Sequence, residues 1–137
     1  MTPLMVLDSN VYISSVLFGG KPRQLIEAAL AGKIRLAVSS SILEEIEGVL
    51  RGKKFTCPAA AAREVVSEIA SLAEIFEPTE KISRIKADPA DDRILECALA
   101  ASAEAIISGD SHLLALKTFH GIPILNPAAC LEQYKMG

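Results

Sequence analysis

Short apolar runs recur along this chain, each too brief for a helix and each separated from the next by a helical stretch. Leu4–Leu7, Arg35–Ser39, Ala105–Ser108 and Ile122–Leu125 read as strands, and Ile75–Glu77 as a shorter one stopped by Pro78. Helices are expected over Asn10–Leu17, closed by Gly19-Gly20, and over Arg23–Ala31, opened by Pro22 and ended by Gly32. Ser40 or Ser41 is placed to cap a helix running through Arg51. Further helices are expected over Ala59–Leu72, Asp91–Ala101, Ser111–Leu116 and Pro127–Tyr134, with a polar loop over Thr79–Pro89. Strands that alternate with helices pair in parallel, because a helical crossover returns the chain in its original direction. The prediction is a three-layer α/β/α domain over residues 1–137, on a central, mostly parallel sheet of about four to five strands.

A sheet covered on both faces needs much apolar surface, and 50% of the 137 residues are hydrophobic. Aromatic residues supply only 4%, so the core must come from Leu, Ile, Val and Ala. The cysteines Cys57, Cys97 and Cys130 are scattered and form no Cys-x-x-Cys pattern, which argues for reduced thiols and against a zinc site. The start of the chain lacks a basic, then apolar, leader, and no run approaches the roughly 20 apolar residues that cross a bilayer. A cytoplasmic protein is expected.

Strand ends carry the chemistry. In open α/β sheets, ligands bind beyond the carboxyl ends of the strands. Asp8 follows the first strand directly, and Asp110 follows Ala-Ile-Ile-Ser-Gly at the end of a later one. One strand-end Asp is most often a helix cap; two on one parallel sheet face the same side. In the helix through Arg51, the stripe Ile42, Leu43, Ile46, Val49 and Leu50 marks the core face. At about 100° per residue, Glu44 points away from this stripe, while Glu45 and Glu47 lie on its borders and either one can reach a cleft. Asp91 and Asp92 open the next helix, where acids favour the helix dipole. That helix starts at the same rim as Asp8 and Asp110; helical phase turns Asp91 inward and leaves Asp92 on the border.

Carboxylates about 4 Å apart repel by roughly 4 kcal/mol at an effective dielectric near 20. Several together need a cation, and oxygen ligands suit Mg²⁺ or Mn²⁺. Such an ion can orient a water and hold a phosphate oxygen, which is the chemistry of phosphodiester hydrolysis. It also lets an acidic cleft accept a polyanion. The net charge of −3 has the wrong sign for binding nucleic acid by bulk charge, so a metal or a local basic patch is required. Lys21, Arg23, Lys33, Arg35, Arg51, Lys53 and Lys54 are candidates to guide a substrate, although solvated surface is the commoner role of each. Tyr12 and Phe18 are the aromatics nearest the rim. His112 is close enough in sequence to Asp110 to approach the site, but no Ser or Cys motif accompanies it. Neither a Walker nor a dinucleotide motif is present.

Four segments resemble the PIN-domain ribonucleases, above all the VapC-like toxins of bacterial and archaeal toxin–antitoxin pairs. They are Val6-Leu-Asp-Ser-Asn-Val-Tyr-Ile13, Ser39–Leu50, Asp88-Pro-Ala-Asp-Asp-Arg-Ile-Leu-Glu-Cys-Ala98 and Ala105-Ile-Ile-Ser-Gly-Asp110. The resemblance assigns the family's acidic positions to Asp8, Glu45, Asp91 or Asp92, and Asp110. Asp8, Asp91 or Asp92, and Asp110 would hold the metal, with Glu45 as a further ligand or a water-orienting group. Asn10 and Ser108 match polar positions that line the pocket. The resemblance further implies Mg²⁺- or Mn²⁺-dependent cleavage of RNA, a homodimer, and inhibition by a small antitoxin protein.

Other readings fit less well. A phosphatase of the haloacid-dehalogenase type resembles Asp-x-Asp after the first strand, and here Asn10 takes the second position. A phosphorelay receiver needs an acidic pair at the end of that strand and a late Lys. A PIN scaffold that binds RNA or protein without catalysis remains the alternative function, against which the complete acidic set argues.

Overall fold

A computed structural model describes residues 2–83 and 89–135 of the protein. Strand β1 (Leu4–Leu7) is followed by helices α1 (Ser9–Leu17) and α2 (Gly20–Leu30), and β2 (Arg35–Val38) by α3 (Ser40–Arg51) and α4 (Ala59–Leu72). Next come β3 (Glu74–Ile75), α5 (Pro89–Ala101), β4 (Ala105–Ile107) and α6 (Ser111–Leu116). The chain ends with β5 (Thr118–Phe119), β6 (Ile122–Leu125) and α7 (Pro127–Gln133). Of the expected loop at Thr79–Pro89, residues 79–83 are irregular as expected, Pro89 already opens α5, and residues 84–88, which include Asp88, lie outside the described residues.

Local chemistry explains where the elements start. Ser39 caps α3, accepting from the Ile42 N–H at 3.3 Å, so the cap is neither Ser40 nor Ser41. Helix α2 begins at Gly20, ahead of Pro22, because a first-turn proline gives up an N–H that no helical bond needs. Asn126 caps α7 by accepting from Ala129 N–H at 2.8 Å.

The strands run in the order β3-β2-β1-β4-β6-β5, six rather than four to five. The strand missed is β5, a two-residue segment antiparallel to β6 and too short to show a period. All other pairs are parallel, with Val6 opposite Ala37 on one side and Ile106 on the other. Met5, Val6 and Leu7 are fully buried, as are Ala105, Ile106 and Ile107. Successive strand residues point to opposite faces, so both faces of the sheet centre are covered, as three layers require. Helix α3 buries Ile42, Ile46 and Leu50 completely or nearly so while Glu44 stays exposed. Each such aliphatic side chain contributes about 1.5–3 kcal/mol.

Strand order also selects the functional rim. From β1 the chain moves on to β2, and from β4 it moves on to β6, in opposite directions along the sheet. Adjacent strands whose connections diverge leave a crevice beyond their carboxyl ends. Asp8 and Asp110 follow those two strands.

Candidate metal centre

Asp8 takes extended backbone angles between β1 and α1, which makes it the N-cap of α1. Its carboxylate accepts from the Asn10 N–H at a long 3.5 Å. Its main-chain N–H donates to Ile107 O at 2.9 Å, tying the ends of β1 and β4 together. Ser108, fully buried, then sits between the two strand-end acids. Its hydroxyl donates to Asp8 Oδ2 at 2.7 Å, and Ser108 Oγ itself accepts from the Asp110 N–H at 2.9 Å. Asp110 in turn caps α6 by accepting from Leu113 N–H at 3.1 Å. Both strand-end acids are therefore caps, but each leaves carboxylate capacity over for the crevice.

Helix α5 brings its first turn to the same place. Asp91 is 6% exposed and its carboxyl hydrogen bonds to Asp110. One ligand atom each from Asp91, Asp110 and His112 lies within 4.8 Å of the others. Asp92 is equally buried in the same turn but does not enter that group. Nor does Asp8, which reaches Asp110 through Ser108. Glu45, half-buried on the border of the α3 stripe, accepts from Ser9 Oγ at 2.7 Å and so is tied to the residue after Asp8. Glu47, on the other border, pairs instead with Arg51 at 3.2 Å. Ser9 was not expected at the site, whereas His112 approaches it as its place after Asp110 suggests. Position alone marks them: Ser9 follows Asp8, and His112 lies in the first turn that Asp110 caps.

Electrostatics set the two strand-end acids apart. Burial pushes Asp8 above its ordinary value of 3.8; hydrogen bonds from Ser108, Asn10 and Ser9 oppose this, and the charge of Asp110 adds to it. Burial also pushes Asp110 up, but the Leu113 N–H, the Asp91 carboxyl and His112 outweigh it and hold Asp110 below its ordinary value. Two carboxyl groups within hydrogen-bond reach share a proton or a cation. The donor set, two carboxylates with an imidazole beside them and a third carboxylate behind, fits a divalent ion.

An open cleft of about 480 Å³ leads away from Asp110, lined by Asn10, Ser14 and Ser111 among others. Asn10 thus faces the cleft, whereas Ser108 lies beneath it as a brace. Several of the candidate guiding cations are engaged elsewhere. Arg35 forms a two-pronged pair with Glu74 at 2.6 and 2.7 Å, Arg23 donates to Ser15 O at 3.1 Å, and Lys54 stands over the Phe55 ring at 5.3 Å.

A family profile for the PIN domain matches residues 5–112. No curated protein matches the chain. Among solved structures, VapBC2 from Rickettsia felis bound to a DNA fragment from their promoter is similar with a TM-score of 0.63 at 18% identity, covering 90% of this chain and 98% of that one. PAE2754 from Pyrobaculum aerophilum gives 0.65 at 14%, covering 99% and 91%. DNA-bound VapBC from Salmonella typhimurium gives 0.63 at 18%, covering 93% and 99%. At such identities the likeness is one of fold.

Proposed function

The chain belongs to the PIN domain family, and from that premise we propose that it is a metal-dependent endoribonuclease, acting as one domain in the cytoplasm. The observation that carries this reading is the Ser108 bridge, which joins Asp8 and Asp110 across the crevice where Asp91 also arrives. Asp91 and Asp110 would hold Mg²⁺ or Mn²⁺, with Asp8 facing them through Ser108. Asp92 would support the first turn of α5. When bound, the ion supplies polarisation of a phosphate oxygen and a water of lowered pKa. Glu45, oriented by Ser9, would direct that water. Asn10 and Ser111 offer hydrogen bonds to an RNA strand lying in the open cleft.

The same reading makes the chain the toxin of a toxin–antitoxin pair, working as a homodimer. The groove between α1, α2 and α4 has the chemistry to hold a small antitoxin protein. It encloses about 300 Å³ and is lined by Tyr12, Val16, Ile26, Leu30, Val65, Ile69 and Leu72 among others. Leu30 is 70% exposed and Val16 41%, and an apolar patch left open in this way marks a protein-binding surface.

The experiment is cleavage of single-stranded RNA by the purified protein with added Mg²⁺ or Mn²⁺ and then with excess chelator. Cleavage should need the ion and be lost in Asp110→Asn. RNA binding without cleavage under every ion condition would replace the nuclease with the binding-module alternative.

A further inference from the structure

The acids explain a site for a hard cation, but not the histidine beside them. His112 occupies the second position of α6, whose cap is already supplied by Asp110. Its side chain is 54% exposed, so burial does not hold it there. Its Nδ1 lies 3.7 Å from Asp110 Oδ2, beyond hydrogen-bond range. A ring nitrogen is nevertheless within 4.8 Å of ligand atoms of both Asp91 and Asp110. Donors bound to one ion at about 2.1 Å stand no more than about 4.2 Å apart. The group is therefore a small side-chain rotation from a shared ligand set.

We propose that His112 is a nitrogen ligand of the centre and gives it a preference for Mn²⁺ over Mg²⁺. This rests on the reading of the crevice as a metal site and changes its chemistry. Mg²⁺ takes oxygen ligands and keeps its waters, whereas imidazole suits first-row transition metals. An oxygen-only set would be served by either ion; a mixed set is not. The second histidine, His120, packs edge-on against Phe119 with ring centroids 4.4 Å apart and serves as an internal control.

The test titrates the metal-free full chain with Mn²⁺ and, separately, Mg²⁺ by calorimetry, and examines the Mn²⁺ form by pulsed paramagnetic resonance for coupling to nitrogen. Wild type, His112→Ala, His120→Ala and Asp110→Asn are compared. His112→Ala should weaken Mn²⁺ by about tenfold or more and Mg²⁺ by less than about twofold. It should also remove a nitrogen coupling that His120→Ala keeps. Equal weakening of both ions, or a nitrogen coupling that survives in His112→Ala, overturns the histidine ligand. If Asp110→Asn abolishes binding while His112→Ala changes nothing, only the histidine falls. If wild type binds neither ion, the metal centre falls and takes the histidine with it.

Discussion

The crevice beyond β1 and β4 and the groove between α1, α2 and α4 share one helix and follow opposite physical rules. The start of α1 delivers Asp8, Ser9 and Asn10 to the crevice, and Tyr12, Ser15 and Val16 further along face the groove. In the crevice, acids are buried against their preference: Asp8, Asp91 and Asp92 are all 6% exposed or less. In the groove, apolar surface is left uncovered, with Val16 41% and Leu30 70% exposed. One region gives up folding stability to hold charge, and the other leaves burial incomplete. Each is the kind of local conflict that marks a functional surface.

The sharpest way to break the contrast is Asp8→Asn. Asparagine caps a helix as well as aspartate and still accepts from Ser108, so the fold is kept. RNA cleavage should nevertheless drop by about 10³-fold, some 4 kcal/mol in the barrier, measured as initial rate at saturating Mn²⁺. Unchanged cleavage would remove Asp8 from the chemistry. In the groove the expectation reverses: Ile69→Ala should cost about 2–4 kcal/mol in chemical denaturation and leave Mn²⁺ affinity untouched. A loss of metal affinity there would show that the two regions are not independent.

The pH dependence of stability gives a smaller and more specific contrast. Asp8 is held above 3.8, so the folded protein keeps a proton there that the unfolded chain releases. Stability of the chelated protein therefore falls as pH rises from 3.8 through the raised value. Asp110, held below its ordinary value, acts with the opposite sign and withdraws its support as pH falls below 3.8. Denaturation curves at pH 4 and pH 7 should show that Asp8→Asn removes the first effect and is the more stable protein at pH 7. The smallest expected change is Tyr12→Phe. The Tyr12 hydroxyl is buried without a hydrogen-bond partner among the described residues. Its removal should be neutral or stabilising by up to about 1 kcal/mol, with no change in cleavage.

Much of this architecture is legible along the chain because its causes are local. Leu4–Leu7 and Ile122–Leu125 coincide with observed strands, and Ala59–Leu72 and Ser111–Leu116 with observed helices. Their apolar runs and periods are set by neighbours in sequence. Where a cause is not local, reading fails. The pairing of β5 needs β6 beside it, and two residues carry no period of their own. The α3 cap shifted to Ser39 because the length of β2 decides where the helix can begin.

For the candidate site the division is the same. Helical phase alone places Glu44 outward and Glu45 and Glu47 on the borders, since one helix's angles depend on nothing else. Which border faces the crevice depended on α1, whose Ser9 holds Glu45, while Arg51 holds Glu47. Likewise Asp91 and Asp92 both begin α5, and only packing against the end of β4 sets Asp91 beside Asp110. By itself the sequence determined the helices, every strand but β5, and a supply of acids at strand ends. Tertiary structure alone decided that β1 and β4 are neighbours, and hence that Ser108 bonds the Asp8 carboxylate 100 residues away while holding Asp110 beside it. Strand neighbours are chosen by burial across the whole sheet, and no local pattern encodes that choice.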